Sequence, residues 1–149
     1  MKNLFKPEVL EEVKQRLNRL QPNTQRLWGK MEVAQMIAHC TAALQVAAGL
    51  KFPPRIFIGR IAGPFFKSAF TNSEPLKKNM PTDVSFLVID GRNFEKEKQR
   101  LTALATQFSK GGEEECTRHP HSFFGKLSPQ EWGMGMYKHI DHHFKQFGV

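Results

Sequence analysis

The stretch SPQEWGMGMYKHIDHHFKQF, residues 128–147, decides the fold. Its opening Ser128-Pro129-Gln130-Glu131 is a capping box. The serine hydroxyl can accept from the backbone N–H three residues on, the glutamate can reach back to the serine N–H, and proline suits the first helical position. These signals predict a helix from Pro129 to about Phe147. At about 100° per residue, with His139 set at zero, Trp132, Met136, Ile140, Phe144 and Phe147 fall on one arc from about 20° to about 140°. That arc is the face for a core. On the same wheel His143 lies inside the arc at about 40° and His139 sits at its edge. His142 lies at about −60°, with Glu131 and Lys138 on the polar side.

Working outward, three more long helices are expected. The first runs from about Pro7 to Leu20, with Val9, Leu10, Val13, Leu17 and Leu20 on one stripe, and Pro22-Asn23 breaks it. The second begins near Lys30 and ends at Gly49. It is apolar nearly all round through Met36, Ile37, Ala38, Ala42, Ala43, Leu44, Val46 and Ala47, the pattern of a central helix. The third is capped by Asn93 and carries Leu101, Leu104, Ala105 and Phe108 before Gly111-Gly112 stops it. Between the second and third lies a long, less regular connection broken by Pro53, Pro54, Gly59, Gly63, Pro64, Pro75 and Pro81. A short helix near Ile56 to Phe70 and an extended piece at Val84 to Ile89 are its expected contents. The elements argue for an all-α four-helix bundle in a single domain, residues 1–149, and bundles build sites from side chains facing one another in the core.

Composition bounds what such a site is for. A chain of 149 residues buries a sufficient core without a stabilising metal or disulfides, so a metal here is expected to be functional. No stretch approaches the roughly 18 apolar residues of a membrane span, and the N-terminus has no apolar signal region. A membrane is therefore not expected among the partners. Cys40 and Cys116 lack a Cys-x-x-Cys spacing and read as two free thiols in the cytoplasm. Cys116 does not read as a nucleophile, since it sits in Glu-Glu-Glu-Cys-Thr with no adjacent cation or helix N-terminus.

The net charge of +8 favours anionic partners. From Lys51 to Lys78 six basic residues stand against Glu74 alone, interleaved with Phe52, Phe57, Phe65, Phe66 and Phe70. Such a region fits nucleic acid, a membrane surface, a pocket for an acidic small molecule, or simply a solvated face over core aromatics. No Gly-rich phosphate loop or Gly-x-Ser-x-Gly elbow occurs.

The histidines carry the sharper signal. His139 and His143 are four apart and share a helix face, while His39, in Met-Ile-Ala-His-Cys, arrives from the central helix. Each pattern alone is that of a surface pair or of a core histidine with a carbonyl partner. Together, with small Ala42 and Ala43 nearby, they form an open site for a divalent ion, zinc or nickel, whose remaining positions stay free. Gln35, one turn before His39, is a candidate to hydrogen-bond in the cavity, and His142 a candidate to support a ligand or face the substrate. Cys40 is about 100° round from His39, too far to join the same ion. His119-Pro120-His121 shapes either a loop over the site or a turn.

The segment Trp28-Gly29-Lys30-Met31 through Gln35-Met36-Ile37-Ala38-His39, with His119-Pro120, Phe124-Gly125-Lys126-Leu127, Trp132 and the closing HIDHHFKQFG of residues 139–148, resembles the DinB-like, or YfiT-like, superfamily, in a branch whose function is not established. The resemblance implies a four-helix bundle of up-down-down-up connectivity, often dimeric, holding a metal through positions that match His39, His139 and His143. It also implies an enzyme acting on a small molecule: a transferase or isomerase using a low-molecular-weight thiol, or a metal-dependent hydrolase. No thiol-recognition motif stands in the chain, His142 is an addition to the pattern, and no catalytic residue is assigned. Glu32 and Asp141 point away from the site on the wheel. Two further classes remain open: a non-enzymatic scaffold, and a basic nucleic-acid-binding module, which is not the favoured reading.

Overall fold

The computed structural model describes residues 1–80 and 83–149, so Pro81, one of the expected breakers, lies outside the described residues. The described residues are all-helical: α1 (Pro7–Arg19), α2 (Val33–Ala47), α3 (Phe57–Thr71), α4 (Phe94–Gly111) and α5 (Pro129–Gln146), with a short 3-10 turn at Val84–Phe86. There are thus five helices where sequence pattern favoured four long ones and a short piece. α3 stands where a short helix near Ile56 to Phe70 was expected and, at fifteen residues, is as long as α2, so the connection is more regular than its breakers suggest. Its two glycines and Pro64 read as breakers in sequence, but the glycines serve a close approach in space.

Each long helix forms where its signals place it, with small shifts at the ends. Pro7 opens α1, and Leu20 follows it as a fully buried, extended cap. α2 starts at Val33 rather than Lys30 because the capping box sits at Glu32 and Gln35. Asn93 Oδ1 accepts from the Lys96 N–H at the start of α4, which ends at Gly112 with φ 59°. At α5 both arms of the predicted box are present: the Glu131 N–H donates to Ser128 Oγ at 3.2 Å, and the Ser128 N–H to Glu131 Oε2 at 2.7 Å. Val84–Phe86 is a 3-10 turn and not an extended piece, because the Asp83 carboxylate accepts from the Ser85 N–H and closes the turn.

α2 is the central helix. It packs against α4 and α5, α1 packs against the same two helices, and α3 packs against α5. Met36, Ile37, Cys40 and Leu44 of α2 are fully buried with Leu101 of α4 and with Trp132, Ile140 and Phe144 of α5. Arg16 ties α1 to the end of α5: it donates to Asp141 Oδ1 at 2.8 Å and to the Val149 carbonyl at 2.9 Å. Cys40 and Cys116 are free and buried, and burial raises both thiol pKa values, that of Cys116 to about 11. Neither is activated as a nucleophile. No helix among the described residues is long and apolar enough to cross a membrane.

α3 is held by close backbone approach along its glycines and by the buried Phe70 ring, which stacks on Phe124. Gly59 and Gly63 face the Phe123 main chain so closely that a Cβ at Gly63 would sit 2.0 Å from the Phe123 carbonyl oxygen. At the helix start, Arg55 donates to the Ser122 and Gly59 carbonyls at 3.2 and 3.1 Å. At its end, Lys138 of α5 donates to the Ala69 and Asn72 carbonyls at 2.5 and 3.1 Å, satisfying orphan acceptors of the last turn. Gly63→Ala gains about 1 kcal/mol of helix propensity but meets a backbone atom that cannot rotate away, at an overpacking cost of about 1–3 kcal/mol. Urea unfolding is expected to show a net loss for Gly63→Ala. Gly91→Ala, which has open space around it, should stay within about 0.5 kcal/mol of the parent.

Candidate metal centre

His39 lies mid-way along α2, and His139 and His143 stand one turn apart on α5, where these two helices pack together. Each offers one ligand atom within 4.8 Å of the others. The ring centroids are 4.7 to 4.9 Å apart, and His39 Nε2 lies 3.0 Å from His139 Nε2. His39 and His143 are buried. His139 is partly exposed as a residue, yet its Nδ1 is enclosed without a hydrogen-bond partner.

The partners of the outer nitrogens fix the tautomers. His39 Nδ1 is 2.8 Å from the Phe86 carbonyl, which only accepts, so Nδ1 carries the proton and Nε2 keeps its lone pair. His143 Nδ1 is 2.9 Å from Gln146 Oε1. The orientation of that amide is set by its Nε2, which donates to the Trp28 carbonyl at 2.7 Å. His143 Nδ1 therefore donates, and its Nε2 is also left with a lone pair. His139 Nε2 must then supply the proton between it and His39 Nε2, which leaves its own buried Nδ1 a bare acceptor. Such an unsatisfied group costs about 1–3 kcal/mol. A cation among the three rings would remove the need for that shared proton and move it to His139 Nδ1, which has no partner in either form.

The electrostatics keep the site uncharged. Burial lowers the pKa of all three imidazoles, for His143 to about 3, and their mutual proximity lowers the values for His139 and His143 further. Neutral imidazole is the ligating form, and three of them suit zinc, nickel or copper better than hard cations. Carboxylates are not recruited. Asp141 is engaged by Arg16 and Lys145, and Glu32 caps α2.

His142 stands outside the cluster. Its ring is 5.1 Å from that of His143 and 5.8 Å from Trp28, and it lines a cavity of about 160 Å³ with Trp28, Leu76, Lys78, Tyr137 and Lys138. Gln35, expected to face the cavity, is engaged at the start of α2 instead: its Oε1 accepts from the Glu32 N–H and its Nε2 donates to the Asp90 carbonyl. His119-Pro120-His121 leads into a turn closed by paired bonds between His121 and Gly125. There the His121 ring packs beside Phe70, Phe124 and Trp132. Two supports escaped sequence reading. Gln146, three residues after His143, was legible as a same-face pair; the Phe86 carbonyl is backbone and had no sequence signal.

An all-helical protein with an enclosed three-histidine cluster is the class these observations define. A family model described as "Protein of unknown function (DUF1569)" matches residues 2–148, and the chain belongs to that family. No curated protein and no solved structure matches it.

The pKa shifts carry a pH dependence. Unfolded imidazole titrates near 6.5, whereas burial holds His143 at about 3 and His121 at about 4. Within that window the unfolded chain takes up protons that the folded one refuses. Stability of the metal-free protein is therefore intact above about pH 6.5 and falls as the pH drops, by up to about 1.4 kcal/mol per such histidine per pH unit. Urea unfolding at about pH 7.5 and about pH 5 is expected to show this loss. His121→Asn should flatten the slope by about one proton, and equal stability at both pH values would contradict the assignment.

Proposed function

We propose that the chain is a metal-dependent enzyme of the DinB-like superfamily acting on a small molecule, as a transferase using a low-molecular-weight thiol or as a hydrolase. The observation that carries this reading is the convergence of three uncharged imidazoles, with the outer nitrogens of His39 and His143 fixed as donors by Phe86 and Gln146 so that their inner nitrogens keep lone pairs. In the same reading α1, α2, α4 and α5 are the four-helix bundle of up-down-down-up connectivity, and α3 lies outside it. The pairing of α1 and α2 each with α4 and α5 supports this.

His39, His139 and His143 would hold a divalent ion, zinc or nickel. Such an ion supplies Lewis acidity, lowering the pKa of a water or thiol ligand so that a nucleophile exists at neutral pH. The chain's own groups do the rest. His142, kept neutral by burial, can accept a proton at the cavity wall beside the site. Trp28 offers an aromatic surface there, and Lys78, 4.4 Å above its ring, offers a cation for an acidic substrate. Free, buried thiols at Cys40 and Cys116 support a cytoplasmic setting.

Elemental analysis of the purified protein is expected to find about one divalent ion per chain, lost in His39→Ala and His143→Ala. Gln146→Leu, which removes the support of His143 without touching a ligand, should weaken metal affinity by about 10- to 100-fold. Equal, negligible metal in the parent and the histidine variants would leave the three rings as a hydrogen-bonded core cluster and end the proposal.

A further inference from the structure

A surface helix ordinarily turns its apolar stripe toward the core, and α3 does the reverse. Its buried positions are Gly59, Gly63 and Phe70, which at about 100° per residue cluster at about 220° when Phe57 is set at zero. Phe57, Ile58, Ile61 and Phe65 lie on the opposite side, from about 0° to about 100°, and are 74%, 68%, 62% and 82% exposed. Phe66, at about 180°, borders the buried side beside Phe123 and is 54% exposed. Monomeric proteins rarely leave a contiguous apolar patch larger than roughly a few hundred Å² in water.

The outward orientation is built into the packing. Gly59 and Gly63 let the helix backbone rest on the Phe123 main chain, with no room for a side chain between them. Arg55 and Lys138 fix the two ends through main-chain carbonyls. Rolling the helix to bury Phe65 would drive a large ring into a space made for hydrogen atoms. The exposed face is thus specified, and something has to cover it.

Charge selects the occupant. α3 carries no acidic residue. Arg60 and Lys67 line one flank, at about 300° and about 280° on the same wheel. Lys67 is paired with Glu131, while Arg60, Lys51 and Lys77 are exposed. An antiparallel two-fold pairing of α3 with its copy would set its cations against their own counterparts. An apolar face with a basic flank is instead the arrangement of a helix lying in the plane of a membrane interface, its hydrophobic residues about 5–10 Å deep and its cations at the headgroups.

We propose that α3 docks this protein peripherally onto an anionic lipid membrane, with Phe57, Ile58, Ile61 and Phe65 entering the acyl boundary and Arg60 at the phosphate level. This peripheral contact goes beyond the expectation of no membrane partner, stands independently of the metal reading, and involves no spanning segment.

Flotation of the full chain with vesicles tests it. Binding to phosphatidylcholine–phosphatidylserine vesicles is expected, much weaker binding to phosphatidylcholine alone, and partial release as salt rises. Phe65→Glu should reduce partitioning at least about tenfold with the melting temperature unchanged, since the side chain touches little of the fold. Absence of flotation with both vesicle types overturns the proposal. So does a dimer in sedimentation that Phe65→Glu dissociates in place of any vesicle binding, because a second copy would then be the cover.

Discussion

Where α2 packs on α5, three imidazoles are buried against one another, and they have to stay uncharged. Much of the surrounding structure answers that requirement. The Phe86 carbonyl, presented by the turn that Asp83 closes, fixes one ring. The Gln146 amide, itself oriented by the Trp28 carbonyl, fixes another. These contacts reach from the segment before α2 to the last turn of α5, so the site draws on distant parts of the chain. A charged residue in the cluster would change the balance, and carboxylates on or next to the same two helices are engaged elsewhere: Asp141 turns to Arg16, and Glu32 caps α2.

What was legible in the sequence follows from the range of the forces involved. Caps and periodicity are local, so Ser128-Pro129-Gln130-Glu131, Asn93 and Pro7 placed helix starts correctly or within a residue or two. The wheel separated His143 from His142 because burial on α5 has a 3.6-residue period. The pattern also placed a helix near Ile56 to Phe70, where α3 stands, but as a short piece, because Gly59, Gly63 and Pro64 signalled breaks. The role of the two glycines depends on Phe123, some sixty residues away in sequence, and no local pattern reports such a contact. Gln35 turned on a competition between local signals. Its spacing from His39 suited a cavity role, but the equally local capping geometry at Glu32 won.

α5 is what joins these features, because its faces are divided among different partners. His139 and His143 meet α2, Asp141 meets Arg16 of α1, and Gly135 and Lys138 meet α3. Lys138 adjoins His139 in the chain, and its ammonium holds the carbonyl end of α3, including Asn72, which lines the cavity beside His142. The helix that carries two of the three histidines is thus also the anchor for the outward-facing apolar helix. Lengthening Gly63 would strain the α3 contact without touching the imidazoles, whereas losing Lys138 would loosen the end of α3 and the cavity wall together. Site and exposed face share one rigid support, so the position of the cavity relative to whatever covers α3 is fixed by the fold and not by a flexible linker.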